Sequence, residues 1–277
     1  MLFRSGAIRV KGILLSMRGQ GPAAREFFEQ DLAIRLALND RIGQARSYSD
    51  LGISAMQTSQ FDKALDYYDK AIAIYHDVKD TSNERYPLHN SADVLKLQGK
   101  FALAIERFNQ AILGHRTAND PVGEAGSLDS LGYTYVYQGD FDKGTEYIEK
   151  ALAIRREVKD RNGEANSLVG LAGIAVQRGR HEQAIAYAEQ VLPIATALRS
   201  LRLESDARLN LASAYFGLSQ FDKAQESAEA ALALYRQMGS RNGEALALGV
   251  LANTHTVLGR YEAGLETYQT EIGRAHV

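Results

Sequence analysis

The chain has 277 residues, 45% hydrophobic and 24% charged, with 32 basic and 34 acidic side chains for a net charge of −2. This is the make-up of a folded soluble protein, and its interspersed charges exclude the basic footprint that nucleic acid or an anionic membrane requires. The absence of cysteine rules out a disulfide framework, a thiolate metal site and a cysteine nucleophile, and fits a cytoplasmic location. The longest apolar run, residues 245–252, is too short to cross a bilayer, and the N-terminus lacks the apolar core of a secretory signal.

Divided every 40 residues, the sequence aligns with itself without insertion or deletion. A fixed period of this size marks a solenoid, in which each unit buries its apolar face against its neighbours. Units are expected over residues 6–40, 41–80, 81–120, 121–160, 161–200 and 201–240, with a shorter seventh over 241–270. The first unit ends at Asp40, a good N-cap for the next helix, and Asp80, Asp120, Asp160, Ser200 and Ser240 repeat that role. In unit 41–80, Phe61, Ala64, Tyr68, Ala71 and Ile72 have the spacing of a second helix. Unit 81–120 carries Pro87 past its first turn, so its first helix is expected to start late. In unit 121–160, Pro121 stands at the first helical position, where proline is tolerated best, and Leu128, Leu131, Gly132 and Tyr135 trace one face. Unit 161–200 has Pro193 inside its second helix, which predicts a kink or a shortened helix. Gly99, Gly139, Gly179 and Gly259 sit where the first helix of their units must end in a left-handed residue. Gln44, Glu84, Glu124, Glu164, Glu204 and Glu244 fall in the first turn, where negative charge suits the helix dipole.

Small residues mark the expected helix contacts. Gly52, Ala92, Gly132, Ala172, Ala212 and Ala252 form one column, and Ala64, Ala104, Gly144, Ala184, Ala224 and Gly264 another. Phe61, Phe101, Phe141, Phe221 and Tyr261 are expected to plug the gap beside them.

The spacing of Leu131-Gly132, Tyr135, Ala64, Tyr68 and Ala71 resembles the tetratricopeptide repeat signature. Tyr48, Leu88, Leu128, Leu168 and Leu248 replace its usual tryptophan, and the late proline is missing. The unit is six residues longer than the common form, as in a 40-residue subclass similar to spindle-orientation scaffolds and bacterial regulatory proteins. The resemblance implies an all-α fold, an α-solenoid in which antiparallel helix pairs stack as a right-handed superhelix of about seven units. It also implies a concave groove lined by the first helix of each pair. Carried over by column, the groove residues are Arg46, Asp50, Ile53, Tyr86, Asn90, Asp129, Tyr133, Tyr137, Asn166, Gln177, Asn210, Phe216 and Asn253. Asparagine amides there suit a peptide backbone and the aromatic rings offer rigid anchors.

Chemistry for catalysis is not evident. Six histidines are scattered without metal-ligand spacing, and no phosphate-binding loop or nucleophile elbow occurs. The chain therefore reads as a non-enzymatic interaction scaffold without cofactor, binding a segment of a protein or peptide partner or, alternatively, another part of its own chain. The alternative is the sensor or regulatory arm of a larger signalling enzyme or transcriptional regulator. Met1–Ser5 and Glu271–Val277 depart from the repeat and resemble translated sequencing adapter, so both segments are set aside and the chain is expected to be an internal fragment. On that reading the array ends uncapped, and Ala231, Leu232 and Leu234 are expected to be poorly covered, favouring end-to-end self-association.

Overall fold

In the computed structural model the backbone is described for residues 2–275; of the two terminal segments set aside above, only Ser5 has a described side chain. Every element among the described residues is an α-helix: α1 (Leu2–Met17), α2 (Gly21–Ala37), α3 (Arg41–Gln57), α4 (Phe61–Asp77), α5 (Thr81–Leu97), α6 (Phe101–Thr117), α7 (Pro121–Tyr137), α8 (Phe141–Glu157), α9 (Arg161–Gln177), α10 (His181–Leu198), α11 (Leu201–Gly217), α12 (Phe221–Met238), α13 (Arg241–Val257) and α14 (Tyr261–Ala275). They form two compact units, Met1–Asp140 with α1–α7 and Phe141–Val277 with α8–α14. Within each unit, successive helices pack against one another.

Helix boundaries follow from local chemistry. Asp40 accepts from the Gly43 amide at 2.9 Å and Asp160 from Gly163 at 2.9 Å; Asp80, Asp120, Ser200 and Ser240 cap their helices in the same way. The expected glycines end their helices with φ between 69° and 86°, and Ser59 and Ser219 adopt the same left-handed conformation. A second left-handed column lies at Asn39, Lys79, Asn119, Lys159, Arg199 and Gly239, ending the other helix of each pair.

Neither internal proline interrupts its helix. Contrary to the expected late start, α5 begins at Thr81, because Asp80 still caps it and Pro87 is buried in packing. Nor does Pro193 shorten α10, which at 18 residues runs one longer than the 17 of α9, anchored around the proline by buried Val191, Ile194 and Ala195.

Both small-residue columns are buried. The ring that packs on them is not the one expected, however. Phe61, Phe101, Phe141 and Phe221 are only half-buried at the start of their helices, and Tyr261 is 71% exposed. Tyr68, two turns further in, lies across Gly52, where a Cβ would collide with its ring at Cε1. Phe28, Tyr68 and Phe108 are the largest fully buried side chains of the first unit; the same column continues as Ile148, Ala188 and Ala228 in the second. At the far end, Ala231 (0% exposed) and Leu232 (7%) are buried with Leu248 and Leu251 of α13, and Leu234 is half-buried. The expectation that this face lies open fails because α13 covers it.

Four of the joints between helix pairs share a device that the columns did not suggest. A large side chain near the end of one pair lies on the first-turn glycine of the next: Arg35 on Gly43, His115 on Gly123, Arg155 on Gly163 and Tyr235 on Gly243. At the α10–α11 joint the sizes are exchanged, Ala195 facing a sequence position held by fully buried Leu203. His115 is 3% exposed, stacks edge-on to Tyr86 and donates from Nδ1 to Asp120 at 2.9 Å, while Arg85 lies 3.5 Å from the same carboxylate. Burial lowers the His115 ring below its ordinary 6.5 against the pull of Asp120, with Arg85 and His89 adding to the effect. Asp120 is itself held below the usual carboxylate range: burial opposes this, but the Gly123 amide, His115 and Arg85 outweigh it.

Three outcomes are expected. Gly52→Val, placing methyl groups inside the Tyr68 ring, should destabilise the chain by about 1–3 kcal/mol in urea denaturation. Gly126→Ala, with nothing within 4 Å of the new Cβ, should be neutral or stabilising by roughly 0.5–1 kcal/mol. Because His115 titrates lower folded than unfolded, stability should fall as pH drops below 6.5, when the unfolded chain takes up the proton first. His115→Arg, borrowing the residue of Arg35 and Arg155, should flatten that part of the thermal-midpoint profile; an unchanged slope between pH 7 and pH 5 would show that another group is responsible.

Candidate functional site

The odd-numbered helices carry the residues expected to line a groove. In the first unit Arg46, Asp50, Ile53, Tyr86 and Asn90 come together around a cavity of about 390 Å³ between α1, α3 and α5. Their convergence follows from the period: positions 46, 50 and 53 lie on one face of α3, and 86 and 90 on the matching face of α5, 40 residues on. Arg9 of α1, Ser49, Tyr75, Asn83 and Pro87 complete the wall. An adjoining cavity of about 330 Å³ shares Asp50 and Ile53 and extends to Ile13, Met17 and Gln57.

Asp50 is not an open groove residue. It is 7% exposed and receives Arg9 Nε at 2.5 Å and Nη2 at 3.2 Å. Burial raises the Asp50 carboxyl above its usual range despite the guanidinium; for Arg9 burial acts to lower the pKa, but the hydrogen bond to Asp50 and the charges of Asp50 and Asp31 together lift it. The charged side chains on the 390 Å³ cavity are therefore Arg9, Arg46 and Asp50, two cations to one anion. Such a wall favours a ligand bearing a carboxylate. Tyr86, 47% exposed, presents one ring face; Arg85 lies 4.3 Å from its centroid and donates to its hydroxyl at 2.8 Å.

The remaining candidates are more scattered. On α7, Asp129 is buried (9% exposed), Tyr133 half-buried and Tyr137 open at 67%; none of them lines the cavity between α1, α3 and α5. In the second unit Asn166 accepts from Arg202 at 2.6 Å, and Asn210 donates to the Val169 carbonyl at 3.2 Å, tying α11 to α9. Phe216 packs edge-on against Phe221 with centroids 5.7 Å apart. Gln177 and Asn253 are exposed. Asn210 thus spends a donor on its own fold rather than presenting both ends of its amide.

Arg9 escaped the sequence reading although the signal was there. It lies one full period, 40 residues, before Ser49, which lines the same cavity. Tyr75 and Asn83 belong to packing columns, and nothing local distinguishes them. Among the described residues no group of three or more His, Asp or Glu side chains could hold a metal ion, and no helix is long and apolar enough to cross a membrane.

Comparison with known proteins agrees with the repeat fold. One tetratricopeptide repeat model matches residues 7–77, 43–112 and 124–197, and a second matches 209–275. Among curated proteins none matches the sequence. Of solved structures, apo RapI is similar over 99% of this chain and 98% of its own, with 15% identity and a TM-score of 0.77. A Rap protein complexed with competence and sporulation factor aligns over 97% of this chain and 74% of its own, at 15% identity and a TM-score of 0.71. A signal transduction ATPase with numerous domains from Pyrococcus horikoshii, which has a tetratricopeptide repeat sensor, aligns at 20% identity and a TM-score of 0.79; the match covers 97% of this chain and 42% of that one. These identities speak for the fold, an all-α repeat solenoid, and the family models cover most of the sequence: the chain belongs to the tetratricopeptide repeat family.

Proposed function

We propose that the chain is a protein-interaction scaffold that binds an extended segment of a partner polypeptide along α1, α3 and α5. The cavity of about 390 Å³ carries the reading, since it gathers residues from three successive repeats, as a ligand several residues long requires. Asn90 supplies an amide for the peptide backbone, Tyr86 an apolar anchor, and Arg9 with Arg46 a cationic edge for a carboxylate of the ligand. Holding Arg9 on Asp50 fixes one cation in place, which lowers the entropy lost on binding.

The structural likeness to a Rap protein solved with competence and sporulation factor, and to an ATPase with a repeat sensor, supports a narrower version. In it, this array is the sensing arm of a larger signalling protein, and ligand in the groove alters a domain outside this chain.

Screening an extended-peptide library by fluorescence anisotropy tests the groove. Tyr86→Ala and Asn90→Ala should each weaken the best ligand by about tenfold, roughly 1.4 kcal/mol, while circular dichroism stays unchanged. Asn210→Ala should leave that affinity intact and cost about 1 kcal/mol of stability, because its amide serves the α9–α11 contact. Equal affinity in both groove variants would reject the proposal.

A further inference from the structure

The internal repeat allows one joint to be compared with its equivalents. At the α6–α7 joint Arg116 Nε donates to Glu124 at 2.6 Å; at α8–α9 Arg156 Nε reaches Glu164 at 3.0 Å; at α12–α13 Arg236 Nε lies 3.6 Å from Glu244. Where Thr196 replaces the arginine, Glu204 instead accepts from Arg208 on its own helix at 2.8 and 2.9 Å. Each of these first-turn carboxylates holds a guanidinium.

The α4–α5 joint differs. His76 stands at the arginine position, 80% exposed, and its Nδ1 lies 3.9 Å from Glu84, beyond hydrogen-bond range. The Glu84 side chain is only 15% exposed, and burial raises its carboxyl above the usual range despite His76. A carboxylate so placed loses hydration without a strong counter-charge.

The second half of the guanidinium seat is also present. Arg156 is held from two sides, since its Nη2 donates to Gln190 Oε1 at 2.9 Å as well. Two repeats earlier the residues matching Glu164 and Gln190 are Glu84 and Gln110. Both line a cavity of about 690 Å³ between α4, α5 and α6. Gly114 widens it, at a position that is Ile74, Ile154, Ile194 or Leu234 in other repeats. Ile72, Leu88 and Leu113 provide apolar wall, with Leu113 65% exposed. The other carboxylates of the wall are already engaged, Asp77 with Arg41 at 3.0 Å and Asp69 with Arg107 at 2.7 Å. This cavity shares no lining residue with the candidate groove.

We infer that the α4–α5–α6 cavity is a docking site for an arginine side chain of a partner polypeptide. Its guanidinium takes the place between Glu84 and Gln110 that Arg156 holds between Glu164 and Gln190, and a neighbouring apolar residue of the partner covers Leu113. Arginine is favoured over lysine because the two acceptors stand on different helices, and a planar fork of donors spans them better than one ammonium. The site is separate from the groove, so a partner could engage either alone.

The test titrates the isotopically labelled full chain with acetyl-Leu-Arg-Leu-amide and with its citrulline counterpart, which keeps the shape and loses the charge. The arginine peptide should shift the Gln110 side-chain amide and the Gly114 backbone amide, and the citrulline peptide should bind at least about tenfold more weakly. Glu84→Gln and Gln110→Ala should each weaken the arginine peptide by a similar factor. His76→Arg, which supplies the chain's own guanidinium, should abolish the shifts and raise the thermal midpoint, whereas Tyr86→Ala in the groove should leave them unchanged. His76 and Gln110 are exposed, so those two variants carry the test even if Glu84→Gln fails to fold. Equal response to the two peptides, no shift at Gln110 or Gly114, or full binding by His76→Arg would each overturn the assignment.

Discussion

Helix backbones in this chain approach closely only where one partner has almost no side chain, and most of the architecture follows from that steric condition. Gly52 leaves room for the Tyr68 ring at a distance that a Cβ would violate, and Gly12 does the same for Phe28. A pair of helices locked in this way still exposes an apolar flank, which the next pair must cover. The repeat then becomes a series of joints, and each joint needs its own fit. Close-packed interiors tolerate little change in volume, so a large residue in one column calls for a small one opposite.

The joints therefore make this array specific. Four of them set a polar or aromatic side chain on a glycine, and Ala195 with Leu203 preserves the volume by exchanging sizes. Charges follow the same economy of space. A first-turn glutamate receives an arginine from the preceding helix, which serves the helix dipole and closes the joint together. Where one member changes, as at His76, the fold persists but leaves a carboxylate and an amide facing an open volume. Departures from the column pattern therefore mark possible sites more sharply than the conserved geometry does.

The two surfaces differ in how their polar groups are arranged. The face of α1, α3 and α5 gathers exposed tyrosine and half-buried asparagine beside a fixed Arg9–Asp50 pair, a broad surface suited to a chain of several residues. The cavity of α4, α5 and α6 sets one carboxylate, Glu84, and one amide, Gln110, beside an apolar wall, the arrangement inferred to take a guanidinium. In the second unit, Asn166 and Asn210 form cross-helix hydrogen bonds, so the same columns serve cohesion there.

The sequence alone determined the elements. Capping aspartates, left-handed glycines and a strict period act within a few residues, so helix boundaries and small-residue columns were legible without coordinates. Five of the groove candidates converge for the same reason, because equal spacing along equal helices brings equal faces together. Tertiary structure decided what depends on partners distant in the chain. Asp50 is buried because Arg9, 41 residues away, covers it; Pro87 and Pro193 are tolerated because surrounding packing holds their helices; and Tyr68, rather than Phe61, fills the space over Gly52. A column assigns a residue to a face, but its neighbours across the joint set whether that side chain is spent on the fold or left for a ligand.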